Sequence, residues 1–472
     1  MDGSDIGIIG MGVMGQSFAL NIESRGFTVS VYNRTESRTR EFVEKRAKGK
    51  AIVPTYSLRD FVYSLKVPRK VLLMVKAGEA VDEFLRMLKE LLEKNDIIID
   101  GGNSYFKDTE RRSDWMRREG IFYLGTGISG GEYGALYGPC IMPGGDKEAY
   151  QQVEEIFLKA CAYTEDGPCC SYLGPGSAGH FVKMVHNGIE YALMEIIAES
   201  YHLMRDGLLM DIEDIQDTFE EWNKSELNSY LVEITGKILE KRDKVTEKPL
   251  VDLILDKAGQ KGTGLWTSKV SLDLGVPVPT INGAVNARII SSFKEDRAKL
   301  SDKLRGPLIH NDRENKENFI SLLRRCCYVC MLLSYTQGMH LLKVASEKFN
   351  YNLNLSEVAR IWKGGCIIRA RVLDTIKNIY VKEQNLPNLI FSDELTGILN
   401  EQIPALRHIL IKAVTWGIPV PAMSACLNYY DSYRAKILPA NLIQAQRDYF
   451  GAHEYERVDK KGFFHTEWQK IG

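Results

Sequence analysis

A short apolar run, Asp5 to Ile9, passes directly into Gly10-Met11-Gly12-Val13-Met14-Gly15, then a helical pattern from Val13 to Ser24 and a second apolar run from Phe27 to Tyr32. Strand, glycine turn, helix and strand in that order constrain a chain strongly, because a βαβ unit makes its strands parallel and lays its helix on one face of the sheet. Glycines at this spacing serve a tight turn, close approach of the backbone to a pyrophosphate, and close packing of helix on strand. The N-terminus of the helix adds unpaired N–H groups and a dipole that favours anions. Further strand candidates at Val71 to Val75, Ile97 to Asp100 and Phe122 to Leu124 alternate with helical patterns such as Ala80 to Leu92. Alternation of this kind predicts a parallel sheet with helices on both faces, a Rossmann-like α/β domain.

The ends of these strands indicate the ligand. In NAD-binding folds the second strand usually ends in an acid that takes both ribose hydroxyls, but here Asn33-Arg34-Thr35 follows Tyr32. An acid repels a 2′-phosphate, whereas an amide, a guanidinium and a hydroxyl bind one, so NADP is expected in preference to NAD. The alternative is that Asn33 and Arg34 only form a turn. Val75-Lys76-Ala77-Gly78 and Gly101-Gly102-Asn103 follow the next two strands at the carboxyl edge, where ligands bind in open α/β sheets. Asn103 is placed to touch both cofactor and substrate, with a simple Gly-Asn turn as the competing account.

After Gly174-Pro175-Gly176 the texture changes. Residues 177–435 are nearly all helix-periodic with few β-branched runs, which predicts a large all-α domain behind an α/β domain of residues 1–176. Gly275-Val276-Pro277-Val278-Pro279 recurs as Gly417-Ile418-Pro419-Val420-Pro421, and Trp222 and Trp362 fall in similar register, so an internal duplication is expected. Residues 436–472 are polar and aromatic with little periodicity, a short tail expected to pack on a partner subunit.

Within the helical stretch Gly179 to Met204, Lys183, His186, Asn187 and Glu190 fall at i, i+3, i+4 and i+7 and therefore share one face. A buried face normally carries Leu or Ile at those offsets. This one carries a potential base, two hydrogen-bonding side chains and a potential acid, the ends about 10 Å apart at 1.5 Å per residue. Two readings compete: a catalytic face, and a solvated polar stripe on a surface helix.

Sixty-one basic and 62 acidic residues balance to a net charge of −1, which gives no electrostatic footprint for nucleic acid or an anionic membrane and points to a small-molecule partner. Nine irregularly spaced cysteines do not form a disulfide framework in a chain of 472 residues, and a reducing cytoplasm is expected. Cys327 and Cys330 form a lone CxxC without a second pair or nearby histidines, so buried thiols are expected and no metal site. The polar start, Met1 to Asp5, lacks the basic and apolar regions of a signal peptide, and no apolar run is read as reaching transmembrane length.

Taken together, the glycine fingerprint, Asn33-Arg34-Thr35, Gly127-Ile128-Ser129-Gly130-Gly131-Glu132, Lys183-Met184-Val185-His186-Asn187-Gly188-Ile189-Glu190-Tyr191, the segment Ile254 to Trp266 with Lys261-Gly262-Thr263-Gly264, and Gln444 to Gly451 with His453 resemble 6-phosphogluconate dehydrogenases over nearly the whole chain. The resemblance implies metal-independent, NADP-dependent oxidative decarboxylation of 6-phospho-D-gluconate to D-ribulose 5-phosphate, a pentose phosphate pathway reaction, by a homodimer with shared active sites. It implies Lys183 as general base and acid and Glu190 as the acid that protonates C1. Asn103, Ser129, Gly130, Gly131, His186 and Asn187 are then expected on the sugar acid, and Tyr191, Lys261, Thr263 and Arg288 on its phosphate, joined by Arg447 and His453 from the other subunit. Gly10 to Gly15, Asn33 to Thr35, Val75 to Ala77 and Asn103 are expected on the cofactor. Gly12 stands where many relatives have Ala, and Cys140 where Ser is frequent. The nearest rival, a β-hydroxyacid dehydrogenase, shares the fingerprint and a Lys followed four residues later by Asn, but such chains are shorter and lack the Lys261 loop and the tail.

Overall fold

The structure, a computed structural model, describes residues 3–307 and 315–468. Met1 and Asp2 of the polar start and residues 469–472 of the predicted tail lie outside the described residues. Seven strands form the main sheet: β1 (Ile6–Ile9), β2 (Val29–Tyr32), β3 (Ile52–Pro54), β4 (Lys70–Leu73), β5 (Ile97–Asp100), β6 (Phe122–Ser129) and β7 (Cys140–Gly145), in spatial order β3-β2-β1-β4-β5-β6-β7. The pairings from β3 to β6 are parallel, with Ile8 opposite Val31 on one side and Leu72 on the other. The expectation of an all-parallel sheet needs one correction, because β7 runs antiparallel to β6, with Ser129 opposite Cys140 and Leu124 opposite Gly145. Gly130 to Pro139 hold only a short helix, Gly131–Tyr137, too little chain for a parallel crossover, so the backbone turns back on itself.

Central strands of such a sheet are buried on both faces, and β5 shows it directly. Ile97 and Ile99 join the core formed with helices Val13–Ser24 and Lys147–Ala160 through Phe18, Ile22 and Phe157. Ile98 points the other way, into a core with Phe61, Leu85 and Met116. The first turns of the nucleotide-facing helices therefore end up along the carboxyl edge, beside the loops after β1, β4 and β5.

The chain then becomes helical. A helix of 25 residues, Ala178–His202, docks against β6 and β7, where Gly127, Gly144 and Gly179 permit close contact: a Cβ on Gly127 would lie 2.4 Å from Lys183 Cβ. Helices recur in the same order at a fixed interval. Tyr230–Glu240 and Val372–Lys382 begin 142 positions apart, as do Pro279–Ser291 and Pro421–Arg434, whose first-turn prolines follow glycines at φ +67° and +70°. Trp222 ends one helix and Trp362 directly follows its counterpart. The two proline-started helices pack on each other, and Glu199 of the long helix accepts from the N–H groups of Ala422 (2.6 Å) and Met423 (2.9 Å), the exposed donors of the second one.

Two further expectations are corrected. Among the described residues one helix, Lys316–Lys348, is long and apolar enough by length and composition to cross a membrane. It is largely buried, packed against Ala178–His202 and Asp393–Trp416, and two of its buried polar side chains bond within the protein: Ser334 donates to the Cys330 carbonyl and Gln337 to Thr280. The tail is more ordered than its weak periodicity implies. It forms a helix, Ala440–Gly451, and a hairpin pairing Tyr455–Glu456 with Phe463–Phe464, both gathered on the buried carboxylate of Asp448. That carboxylate accepts from the Glu454 and Thr466 N–H groups, His465 and the Trp468 indole at 2.8–3.0 Å; burial opposes its charge, but these donors hold its pKa well below the usual range.

Candidate active site

The face read from the sequence is turned inward, which removes the alternative of a solvated stripe: His186 is fully buried, Lys183 is 6 % exposed, and Asn187 and Glu190 are half-buried. Lys183 Nζ donates to Asn187 Oδ1 at 2.8 Å, and the same oxygen lies 3.0 Å from His186 Nδ1. Asn187 Nδ2 donates to Thr263 Oγ1 (3.3 Å), and its Oδ1, which can only accept, faces the imidazole, so His186 Nδ1 carries the proton and Nε2 accepts from the Ser129 hydroxyl (3.3 Å). The imidazole is held edge-on to the Trp362 indole, centroids 5.7 Å apart, and burial together with Lys183 keeps its pKa well below normal. His186 is thus a neutral hydrogen-bonding group at ordinary pH.

Lys183 and Glu190 are displaced in opposite senses. Burial lowers the Lys183 pKa, partly offset by the Glu190 charge, while burial raises that of Glu190 against Lys183 and Arg288. A lysine pushed toward neutrality and a glutamate pushed toward protonation, two helix turns apart, can serve as a base and an acid in proton transfer.

They line a cavity of about 680 Å³. Its wall includes Asn103, Ser129, Gly130, Gly131, Lys183, Asn187, Glu190, Tyr191, Lys261, Thr263 and Arg288, which the sequence singled out, and Gly259, Gln260 and Ile367, which it did not. The Arg288 guanidinium stacks on the Tyr191 ring at 3.5 Å from its centroid, a preformed cationic plate. Packed on the same Tyr191 ring through Gly264, the helix Thr263–Asp273 starts at Gly262, φ +95°, and the preceding loop is tied down by the Ala258 N–H on Ser291 Oγ (3.0 Å) and by Arg297 on Asp256 (3.0 Å). One end of the cavity is built to hold an anion.

A second recess of about 400 Å³ opens along the carboxyl edge, lined by Gly10, Gly12, Asn33, Arg34, Thr35, Val75 and Lys76, with Arg38, Met74, Ala80 and Phe84 in addition. Met11, Val13, Gly15 and Ala77 do not line it, and Met14 faces the larger cavity, so the glycine loop separates the two recesses. The three glycines divide their roles as the fingerprint requires. Gly10 sits at φ +105°, a Cβ on Gly15 would lie 1.9 Å from the Gly10 carbonyl, and Gly12 has nothing within 4 Å, an open approach for a pyrophosphate. Asn33 uses its side chain on the protein itself, accepting the Met11 N–H at 3.0 Å, and Arg34 is exposed, paired with Glu83 at 3.1 Å. The donor set fits a dinucleotide with an extra phosphate beside Arg34 and Arg38.

Arg447 and His453 do not line the cavity of their own chain. Arg447 is exposed on the tail helix and bonds Gln444 at 2.9 Å, and His453 packs on Phe450. All nine cysteines are buried and free, Cys327 and Cys330 inside the helix Lys316–Lys348. Glu165, Asp166 and Asp374 bring their oxygens together, but the ammonium groups of Lys363 and Lys377 already occupy them.

Comparison with known proteins agrees over the whole length. Residues 5–174 match the family model for the NAD binding domain of 6-phosphogluconate dehydrogenase, and residues 179–468 that for the 6-phosphogluconate dehydrogenase C-terminal domain. The NADP(+)-dependent, decarboxylating 6-phosphogluconate dehydrogenase of Bacillus subtilis (strain 168) is 54% identical over 470 residues, covering 100% of both chains. The decarboxylating enzyme of Escherichia coli (strain K12) is 51% identical over 469 residues, covering 99% of this chain and 100% of its own. Plasmodium falciparum 6-phosphogluconate dehydrogenase, solved in its apo form and in complex with NADP+ and with 6-phosphogluconate, superposes with a TM-score of 0.94 at 46% identity, covering 99% of this chain and 100% of that one. With a nucleotide recess, an acid–base helix face and an anion-binding end in one arrangement, and such likeness from end to end, the chain belongs to the 6-phosphogluconate dehydrogenase family.

Proposed function

We propose that this chain oxidises and decarboxylates 6-phospho-D-gluconate with NADP, giving D-ribulose 5-phosphate, CO₂ and NADPH. The observation that carries the reading is the buried pair Lys183 and Glu190, shifted in opposite senses on one helix face between the glycine loop and an anion-binding wall. When bound, NADP supplies the acceptor for the hydride that leaves C3. Gly10 to Gly15 hold its pyrophosphate, Asn33 orders the loop, and Arg34, Thr35 and Arg38 take the 2′-phosphate, with Val75, Lys76, Ala77 and Asn103 along the rest.

Lys183, whose neutral form burial favours, accepts the C3 hydroxyl proton as the ketone forms. The carboxylate is then β to a carbonyl and departs as CO₂, its bonding electrons passing to the C3 oxygen, where protonated Lys183 stabilises the charge and returns the proton. Glu190, whose protonated form burial favours, delivers a proton to the enediol carbon that becomes C1 of the product, while Lys183 takes up the proton of the adjoining enediol hydroxyl as the ketone forms. Asn103, Ser129, Gly130, Gly131, His186 and Asn187 orient the sugar acid, and Tyr191, Lys261, Thr263 and Arg288 hold its phosphate, binding remote from the reacting carbons that fixes their position.

The domain organisation proposed is an NADP-binding unit of residues 1–176, an internally duplicated helical unit of 177–435 and a tail of 436–472 that completes the partner's site in a cytoplasmic homodimer. Exposed Leu442, Ile443, Tyr449 and Phe450 on the tail helix support this, since an ordered apolar face is costly to leave in water. Mixing purified protein with NADP and 6-phosphogluconate tests the reaction: absorbance at the NADPH band and released CO₂ rise together. NADP reduction with other 3-hydroxy acids but not with 6-phosphogluconate would overturn it.

A further inference from the structure

Between the nucleotide recess and the reaction cavity lies a polar network that no motif announces. Asp100, the last residue of β5, and Arg112, on helix Phe106–Arg118, are both fully buried. Asp100 Oδ1 accepts the Gly102 N–H (3.1 Å), and Oδ2 accepts the hydroxyls of Ser104 (2.7 Å) and Tyr123 (2.9 Å). Arg112 donates to Ser104 Oγ (3.3 Å), to the Gly78 carbonyl (2.8 Å), and through two nitrogens to Asp82 (2.8 and 3.1 Å). One planar group therefore touches both edge loops. Gly78 ends the loop whose Val75 and Lys76 line the nucleotide recess, and Gly102 and Ser104 flank Asn103, which lines the reaction cavity.

We propose that Arg112, acting through Ser104 and Asp100, is a positioning residue that holds the Asn103 loop and the Lys76 loop at a fixed separation, and so sets the alignment of substrate against cofactor. The loops also meet where they leave the sheet, the Gly101 N–H bonding the Leu73 carbonyl (3.0 Å) and Gly102 packing on Val75, but that contact lies before Asn103 and Lys76, whereas Arg112 ties the far sides, Ser104 and Gly78. A guanidinium suits the task because its fork fixes several acceptors in one plane, whereas an ammonium is a point charge that cannot span them. The proposal rests on the reaction given above and concerns only how the reactants are aligned. A small misalignment of reacting groups costs rate far more than affinity.

Ser104→Ala is the first test, because it removes the hydrogen-bonded link between Arg112 and the Asn103 loop while leaving the Arg112–Asp82 clamp and the longer Arg112–Asp100 ion pair (3.7 Å) in place. Arg112→Lys is the second, and Arg111→Ala the control: Arg111 also bonds Asp82 (2.9 and 3.0 Å) but reaches neither loop. Both test variants should bind NADP and 6-phosphogluconate by calorimetry within about threefold of wild type, yet lose roughly tenfold or more in kcat, a hundredfold being the size of effect an ångström of misplacement brings. The deuterium isotope effect with 6-phosphogluconate labelled at C3 should rise toward its intrinsic value. Hydrogen exchange in the peptide containing Gly102 should quicken in Ser104→Ala and not in Arg111→Ala. If both variants kept wild-type kcat and isotope effect below their melting temperatures while Tm alone fell, the network would be purely structural and the proposal wrong. Wild-type protein inert toward 6-phosphogluconate would instead remove the proposed reaction, and calorimetry and exchange would still judge the loop coupling.

Discussion

At the scale of single residues, burial favours the neutral form of Lys183 and the protonated form of Glu190, the forms in which the proposed base and acid must stand. Lys183→Met should abolish single-turnover NADPH formation while calorimetry shows NADP affinity unchanged, because the nucleotide recess contains no part of that helix. Near-normal single-turnover reduction would take the base role from Lys183. The two groups also sense each other, and the sign is fixed: the Glu190 charge raises the Lys183 pKa, so Glu190→Gln should lower it further. Hydride transfer needs neutral Lys183, so the acidic limb of its pH profile should move to lower pH in Glu190→Gln, with proton exchange at C1 of ribulose 5-phosphate lost. A limb that stayed in place or moved up would contradict the coupling. Arg34 makes one exposed ion pair, with Glu83, of the kind worth at most about 1 kcal/mol, so it is free to serve a ligand. Charge-assisted bonds of ~1.5–3 kcal/mol to a 2′-phosphate predict a roughly ten- to hundredfold loss of NADP affinity in Arg34→Ala and little change for NAD. Equal losses for both coenzymes would mean that Arg34 only shapes the loop.

At the scale of elements, what the sequence made legible was whatever is local and periodic. The glycine loop, β1, β2, β4, β5, the first half of β6 and the i, i+3, i+4, i+7 face of Ala178–His202 each declare themselves within one or two turns of chain, whereas β3, three residues ending in Pro54, does not. β7 did not, because Pro143, Gly144 and Gly145 interrupt any alternation, and its place is set by Gly144 packing against Gly179. The helix Ala440–Gly451 did not, because its apolar side chains are exposed and mark no stripe toward a core of its own chain. Asp82, Asp100 and Arg112 did not, because ionic partners separated by many residues leave no local pattern. Arg38 was within reach, lying four residues beyond Arg34 and facing the same recess. The glycine loop itself yields a test that separates fit from binding. Gly12→Ala adds a Cβ with nothing within 4 Å, so Tm should not change. Gly15→Ala places a Cβ 1.9 Å from the Gly10 carbonyl, so the loop must shift, Tm should fall by several degrees in calorimetry and NADP binding should be lost. Comparable Tm values for the two variants would mean that the loop does not depend on its third glycine for packing.

At the scale of the whole molecule, the cavity is walled by parts of one chain but its anion-binding end is open, while the tail holds Arg447 and His453 on an ordered unit whose own apolar residues face outward. Exposed Ile254, Leu255, Ile290 and Phe293 beside the Lys261 loop form a second uncovered apolar area. In the homodimer proposed above, a second copy of the chain would meet both needs at once, covering apolar surface and bringing an arginine to the phosphate. An arginine crossing an interface couples assembly to substrate binding, so dilution to monomers should spare NADP affinity and weaken that for 6-phosphogluconate. The decisive experiment mixes Lys183→Met with Arg447→Ala, each inactive alone, under conditions that allow subunits to exchange. In a mixed dimer with shared sites, one site collects both lesions and the other keeps wild-type Lys183 and Arg447. Activity should then return to about a quarter of the wild-type level per subunit, since half the dimers formed at random are mixed and each has one intact site. Mixed dimers demonstrated by mass spectrometry with activity no higher than the parents would show that Arg447 serves its own chain.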